Sequence, residues 1–195
     1  MLRGHGPAEV LTPFRQTLAA AQMLVRISQE RSGLTIREYD VMASARYQAE
    51  LLSELAHQLD AQVARLSRDA EHSRISGTDP DRALINSLTG VIRTTATLAE
   101  VCHALLKVSE QMLVVRTAKA RVELAASIET LRAAVGTSQI TVQANLGRVT
   151  DARTYDQLAE GLPSFDIIRM QADKVADVLR RQTAPMVPTQ RVDVS

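Results

Sequence analysis

Helix-forming residues fill almost the whole chain between Pro13 and Arg181, and this feature most constrains the fold. Leu, Ala, Val, Arg, Gln and Glu dominate the stretch, and Ala and the unbranched side chains have the highest helix propensities. Only 3% of the residues are aromatic and none is Trp, so the core must be aliphatic. The sequence therefore predicts an all-α protein.

Capping and breaking residues set the first helix boundary. Thr12 and Pro13 have the pattern of an N-cap followed by proline at the first helical position. They predict a first helix that runs to about Arg31 and is ended by Gly33. Residues 35–38, Thr-Ile-Arg-Glu, form a capping box that opens a second helix.

The second helix meets no breaking residue before Ser73. A helix of more than thirty residues spans roughly 50 Å, which favours an elongated bundle over a compact globular arrangement. Residues 76–80 then predict a loop, with Asp79 as N-cap and Pro80 in the first turn of a third helix. Gly90 inside that helix marks either a close helix contact or a local weakness.

The length of the remaining helical stretch requires another break. We place it near Val114–Thr117, because an unbroken helix would exceed fifty residues. A fourth helix then runs from about Ala118 towards Leu146, and its small residues at 136–138 would let another backbone approach. A short helix ends at Gly161, and a last amphipathic helix follows the hinge at 162–164.

These elements predict an elongated, antiparallel, up-and-down bundle of five to six helices. At 195 residues the chain is long enough for one domain with a real core. We expect a flexible N-terminus over residues 1–11, a single helical domain over residues 12–183 and a flexible tail over residues 184–195.

Charge and hydropathy argue against several classes of partner. The 23 basic and 22 acidic residues give a net charge of +1 and form no block of one sign, so we expect neither nucleic acid nor an anionic membrane as partner. No apolar run reaches the 18 residues of a membrane span. The first residues lack the apolar segment of a signal peptide, which predicts a cytoplasmic protein.

The cysteine and the histidines indicate structural roles. Cys102 is the single cysteine, which excludes an internal disulfide, and its apolar neighbours predict a buried side chain. His103 follows it directly, but consecutive helical residues do not face each other. The histidines show no metal-ligand spacing, so we expect no metal site.

Two acidic residues are the candidates for general acid–base chemistry. Asp60 lies beside the apolar stripe of the second helix, and Glu123 lies between Val122 and Leu124 in the fourth. If both faced one cleft, partial burial would raise their pKa values towards the range of proton-transfer groups. The alternative is that each carboxylate lies on a solvated helix face.

One segment carries a family resemblance. Residues 141–151, TVQANLGRVTD, resemble the Asn-Val-x-Ile-Asn-Leu-x-x-Ile-x-Asp signature of the cyclodeaminase/cyclohydrolase family of all-helical folate enzymes. The order of helices is similar too, including an Asp-Ala step at Asp60. The resemblance implies a tetrahydrofolate derivative as ligand, with Asn145 and Arg148 orienting a polar or anionic group. It also implies a homodimer or higher homo-oligomer.

The sequence departs from the family pattern at three places, one of which is the pair of aspartates expected in the second helix, reduced here to Gln58 and Asp60. The family opens with a Pro-Gly-Gly-Gly-Ser loop, whereas residues 11–18 here contain no glycine. The family's Ser-Asp pair falls on Val122 and Glu123, which keeps one carboxylate. The resemblance thus implies an inherited fold with a remodelled folate pocket, in which Asp60 and Glu123 are the candidate proton-transfer groups.

A second interpretation stays open. The chain can instead be a helical scaffold or adaptor without small-molecule chemistry, which uses its apolar stripes to bind itself or a protein partner. The absence of glycine from residues 11–18 favours this interpretation, and the signature at 141–151 favours the folate one.

Overall fold

The computed structural model describes residues 7–76 and 80–183, and these ranges contain helices and no strand. The predicted all-α bundle of five to six helices is confirmed. The helices are α1 (Pro7–Ile27), α2 (Ile36–Ser76), α3 (Pro80–Gln111), α4 (Ala118–Leu146), α5 (Ala152–Glu160) and α6 (Phe165–Thr183), with a 3-10 turn at Met112–Val114.

The first four helices form an antiparallel ring. Each packs against two neighbours, in the order α1–α2–α3–α4 and back to α1, and α6 lies against α3 and α4. The ring is elongated, because the 41 residues of α2 span about 60 Å.

Three sets of contacts fix the register of the ring. Ser127 Oγ donates a hydrogen bond to the Ala20 carbonyl at 3.2 Å, and this contact sets α4 against α1. The hydroxyl of Thr17 lies 3.2 Å from Cys102 Sγ, which sets α1 across the core from α3. A Cβ at Gly90 would stand 2.7 Å from the end of the Leu66 side chain, so Gly90 lies at a close contact between α2 and α3.

The core is aliphatic, as the composition predicts. Phe14 is the one aromatic residue among the large side chains that are fully buried in the described part of the chain. The others in that set are Leu24, Ile27, Met42, Ile92, Leu98, Leu105, Leu106, Met112, Leu124, Ile128 and Leu131.

Helix α1 begins six residues earlier than the sequence predicts. It starts at Pro7 and contains Pro13, so the rule that proline favours the first helical position applies to Pro7 instead. It also ends at Ile27 rather than near Arg31, because 3-10-type hydrogen bonds from Gln29 and Glu30 close its last turn. The predicted flexible residues 1–6 and 184–195, and the predicted cap at Asp79, lie outside the described residues.

The other predicted boundaries agree with the structure. The break near Val114–Thr117 follows the 3-10 turn, and α4 covers Ala118–Leu146. The capping box of α2 forms, since the Thr35 backbone N–H donates to Glu38 Oε2 at 2.8 Å and the Glu38 N–H donates to Thr35 Oγ1 at 3.3 Å. Arg116 donates a further hydrogen bond to Glu38 Oε1 at 2.9 Å.

Glu38 should make folding stability depend on pH in the acid range. The hydrogen bonds from Thr35 and then the Arg116 guanidinium lower the pKa of Glu38 from 4.5 to about 2. The charged carboxylate therefore stabilises the fold above about pH 4.5, and this contribution is lost as the pH falls towards 2. We expect Glu38→Gln to lower the free energy of unfolding at pH 7, measured by urea denaturation, and the difference from wild type to shrink between pH 4.5 and 2.

A difference that stays constant down to pH 2 would contradict this assignment. Glu54→Gln is a control, because Glu54 lies on the same helix, accepts a hydrogen bond from Gln58 and has no contact with the capping box. We expect Glu54→Gln to have the same free energy of unfolding at pH 7 as wild type, unlike Glu38→Gln.

Candidate functional site

The two predicted carboxylates lie on different helices at different heights of the bundle. Glu123 on α4 comes four residues before Ser127, which contacts Ala20, so it is level with Leu24 of α1. Asp60 on α2 comes six residues before Leu66, which packs on Gly90 of α3, so it is level with residue 96 of α3. Through the contact of Cys102 with Thr17, that level corresponds to residue 11 in the second turn of α1. The two levels are about 20 Å apart along the bundle, so the structure does not bring Asp60 and Glu123 into one cleft.

Asp60 has an unusual environment. The residue is half-buried, and its Oδ1 atom is buried without a hydrogen-bond partner among the described residues. A buried polar atom without a partner costs free energy, typically about 1–3 kcal/mol. A ligand that donated a hydrogen bond to Asp60 Oδ1 would remove this cost.

Two buried hydroxyl groups lie at the same height. Thr95 and Ser138 are completely buried, and neither side-chain oxygen has a hydrogen-bond partner in the described part of the chain. Thr95 comes seven residues before Cys102, almost two full turns, so it shares the face of α3 that points towards α1. Ser138 comes eleven residues after Ser127, about three full turns, so it shares the face of α4 that points towards α1.

We call Asp60, Thr95 and Ser138 the polar layer. Their heights agree to within about one helical turn, at the N-terminal end of α1. Gln16 Oε1 is also buried without a described partner and lies about one and a half turns further along α1. The first backbone N–H groups of any α-helix have no intrahelical acceptor, and this end of α1 carries the positive end of the helix dipole.

The polar layer has the groups that a polar ligand needs. A carboxylate accepts hydrogen bonds, and the two hydroxyls donate or accept them. Such a set suits a neutral or partly anionic heterocycle with both donor and acceptor atoms.

The two residues predicted to orient a ligand lie beyond the layer on α4. Asn145 comes seven residues after Ser138, on the same face of the helix. It is half-buried and its Nδ2 donates to the Thr141 carbonyl at 2.7 Å. Arg148 is exposed in the turn that follows α4. The structure thus places Asn145 near the layer and Arg148 at the surface.

Cys102 has a structural role, as predicted. Its side chain is completely buried, and this burial raises the pKa of the thiol to about 12. A thiol that stays protonated at neutral pH is a poor nucleophile.

Two surface concavities lie away from the polar layer. A groove of about 680 Å³ between α1 and α2 is lined by Gln22, Arg26, Glu50 and Glu54 among others, and a depression of about 410 Å³ lies on α6. Within residues 7–76 and 80–183, no group of three or more His, Cys, Asp or Glu side chains could hold a metal ion. None of the helices described is both long and apolar enough to cross a membrane.

Thr95 and Ser138 did not stand out in the sequence. Each is a single polar residue at a core position of a helix, surrounded by apolar residues at spacings of three and four. That pattern identifies Thr95 and Ser138 as buried polar residues. It does not show that Asp60, Thr95 and Ser138 share one height, since they come from three separate helices.

Removal of the Thr95 hydroxyl should not weaken the fold. Thr95→Val keeps the side-chain shape and deletes an unpartnered oxygen, so we expect the free energy of unfolding to stay unchanged or to rise by about 1 kcal/mol. Thr17→Val is the matched control, because the Thr17 hydroxyl donates to the Pro13 carbonyl at 2.8 Å and should cost about 1 kcal/mol when lost. Equal destabilisation by both variants, measured by urea denaturation, would show that the Thr95 hydroxyl has a partner.

Comparisons with known proteins agree with this architecture. The sequence profile of the formiminotransferase-cyclodeaminase family matches residues 17–163, which leaves out the first ten residues of α1 and the helix α6. The structure is similar to formiminotetrahydrofolate cyclodeaminase from Thermotoga maritima, with a TM-score of 0.67 over 90% of this chain and 84% of that chain. The two sequences are 12% identical, so this likeness shows a shared fold. No curated protein sequence matches the chain. The length of the profile match shows that the chain belongs to the formiminotransferase-cyclodeaminase family.

Proposed function

We propose that this chain is a divergent cyclodeaminase-like protein of one-carbon folate metabolism, which binds a tetrahydrofolate derivative at the polar layer but has lost the original catalysis. The observation that carries the binding proposal is the set of three buried oxygens without described partners, on Asp60, Thr95 and Ser138. The pterin ring of a folate offers the donors and acceptors that these atoms lack.

The proposed loss of catalysis rests on α1. Residues 11–18, where the family resemblance places a glycine-rich loop, are a continuous part of the helix Pro7–Ile27. Phe14 within this segment is completely buried. A helix with a buried aromatic side chain cannot offer a ligand the bare backbone of a glycine-rich loop, so a folate would approach this bundle differently.

The proposed roles of the site residues follow their positions. Asp60 would accept a hydrogen bond from a ligand N–H group, and Asn145 would contact the part of the ligand that extends beyond the layer. Arg148, at the surface, would pair with an anionic tail. Glu123 lies about 20 Å along the bundle, so a role in proton transfer would need a second site there.

The proposed assembly is a homodimer, which is the arrangement that the resemblance implies, and the proposed location is the cytoplasm. The assembly and the location are proposals separate from ligand binding.

A scaffold or adaptor is the second candidate function. One observation favours it: Tyr47, Leu51 and Leu55 lie on successive turns of α2 with exposed fractions of 63%, 53% and 38%. An exposed apolar stripe of this kind is typical of a surface that contacts another protein.

Thermal unfolding with 5-formyltetrahydrofolate or tetrahydrofolate tests the binding proposal. A ligand at 100 times its dissociation constant adds about 2.7 kcal/mol to the free energy of unfolding, so we expect the midpoint of wild type to rise clearly. Asp60→Asn should reduce the rise, because a neutral amide oxygen accepts a weaker hydrogen bond than a carboxylate does. Glu123→Gln is the matched control, since it also removes one carboxylate charge but lies far from the layer, and it should keep the rise.

The other outcomes of these experiments would contradict parts of the proposal. An unchanged midpoint in wild type would contradict folate binding and favour the scaffold function. A rise in Asp60→Asn as large as that in wild type would place the ligand elsewhere. Turnover of methenyltetrahydrofolate or formiminotetrahydrofolate by wild type would contradict the proposed loss of catalysis.

A further inference from the structure

Helix α2 has an exposed apolar face beside the groove that separates it from α1. This face consists of Tyr47, Leu51 and Leu55, and we call it the α2 stripe. The exposed fractions of the three residues fall from 63% at Tyr47 to 38% at Leu55. Because they are four positions apart, they lie on successive turns along one side of the helix. Such a row of exposed apolar side chains is typical of a surface that contacts another protein.

The groove between α1 and α2 has a volume of about 680 Å³ and acidic residues on its α2 side. Glu50 and Glu54 line it, and each comes three residues after a member of the α2 stripe. The two carboxylates therefore follow the edge of the stripe that faces α1. The α1 side of the groove contributes the half-buried Met23 and Val25 and the exposed Arg26. The groove and the stripe thus adjoin each other over the same turns of α2.

The charge along this part of α2 is negative. Residues 47–64 contain three carboxylates and no Lys or Arg. Glu54 accepts a hydrogen bond from the neutral amide of Gln58 at 3.1 Å, and this contact leaves its charge uncompensated. Glu50 pairs with Arg46 at 2.8 Å, but both side chains are 46% exposed, and an exposed ion pair contributes little free energy. The edge of the stripe therefore attracts basic groups.

A long basic side chain is complementary to the groove. The methylene stem of an Arg or Lys packs on apolar atoms while its charged end stays in water. The groove offers apolar atoms of Met23 together with the carboxylates of Glu50 and Glu54, and Arg26 suits a carbonyl or acidic group of the same partner. A helix carries neighbouring side chains at spacings of three and four, so a partner helix that lies along α2 can contact the α2 stripe turn by turn.

The same features disfavour three other occupants. An anionic membrane surface is repelled by the carboxylates at the edge of the stripe. An extended peptide needs an open sheet edge for its backbone hydrogen bonds, and residues 7–76 and 80–183 contain no strand. A second copy docked antiparallel, stripe to stripe, would bring its own Glu50 and Glu54 to the same edge, where like charges repel.

We propose that the α2 stripe and the adjoining groove bind a basic amphipathic helix of a partner protein. The apolar residues of that helix cover Tyr47, Leu51 and Leu55, and an Arg or Lys at the edge of its apolar face enters the groove towards Glu50 and Glu54. This inference rests on the second candidate function, because it names the kind of partner that a scaffold or adaptor would bind here. It is independent of folate binding at the polar layer.

Fluorescence anisotropy with a labelled synthetic peptide tests the inference. The probe is an amphipathic helix of about five turns, with Leu on one face, Arg along one edge of that face and Ala elsewhere. A control peptide has Glu in place of each Arg. We expect wild type to bind the Arg peptide at least about 10-fold more tightly than the Glu peptide, and added salt to reduce this difference because it screens exposed charges.

Variants assign the binding to this surface. Leu51→Asn removes an apolar contact without adding charge and should weaken binding of the Arg peptide by about 10-fold. Glu54→Lys should weaken binding of the Arg peptide and strengthen binding of the Glu peptide, a gain that a mere loss of folding would not produce. Ile140→Asn is the matched control, since Ile140 is also exposed, at 62%, but lies on α4, and it should bind the Arg peptide as wild type does. Circular dichroism checks the helical fold of each variant.

Several results would overturn the inference. Wild type that binds neither peptide or both equally would do so, as would a Glu54→Lys variant that loses both peptides or a Leu51→Asn variant that binds as wild type does. A wild-type dimer that Leu51→Asn dissociates would instead assign the stripe to a second copy. Binding of the Arg peptide only after deletion of residues 184–195 would assign it to the chain's own C-terminal residues.

The thermal-shift experiment with folates has a separate readout. A failure of folate binding and a failure of this surface to bind the Arg peptide can therefore be told apart.

Discussion

The packing of α1 between α2 and α4 is the constraint on which the other features depend. Because Ser127 donates to the Ala20 carbonyl and Thr17 contacts Cys102, the height of every residue on α3 and α4 is fixed relative to α1. Together with the contact of Gly90 on α3 with Leu66 on α2, this register brings Asp60, Thr95 and Ser138 to one level and keeps Glu123 away from them. A shift of α1 by one turn would move its N-terminal end away from the level of the polar layer, and the candidate site would no longer form.

The polar layer and the exposed apolar side chains Val122 and Ile140 of α4 both depart from the usual distribution of polar and apolar groups in a folded chain. A folded chain normally pairs its buried polar atoms and exposes polar residues to water. Here polar oxygens are buried without described partners, and apolar side chains are exposed on α4. The unpartnered buried oxygens cost free energy in an isolated chain, and the proposed ligand would offset that cost.

Local signals in the sequence predicted the helices well, because caps and breaks act over a few residues. The capping box at Thr35 and Glu38 and the bounds of α4 are examples. The predicted start of α1 was wrong, because Pro7 and Pro13 both satisfy the rule that proline favours the first helical position. The polar layer could not be predicted, since its members are separated by more than thirty residues and meet only through helix register. For the same reason, the spacing around Asp60 and Glu123 could not show that they lie at different heights.

Because Cys102 is buried, its reaction with a thiol reagent reports local opening of the helical bundle. As the single cysteine, completely buried beside Thr17, it can react with a thiol reagent only when the helices packed around it separate. The rate of labelling therefore measures how often the bundle opens around Cys102, about two helical turns from the level of Thr95. Surface cysteines introduced elsewhere would react without interference, which makes the chain well suited to site-specific spectroscopic labels.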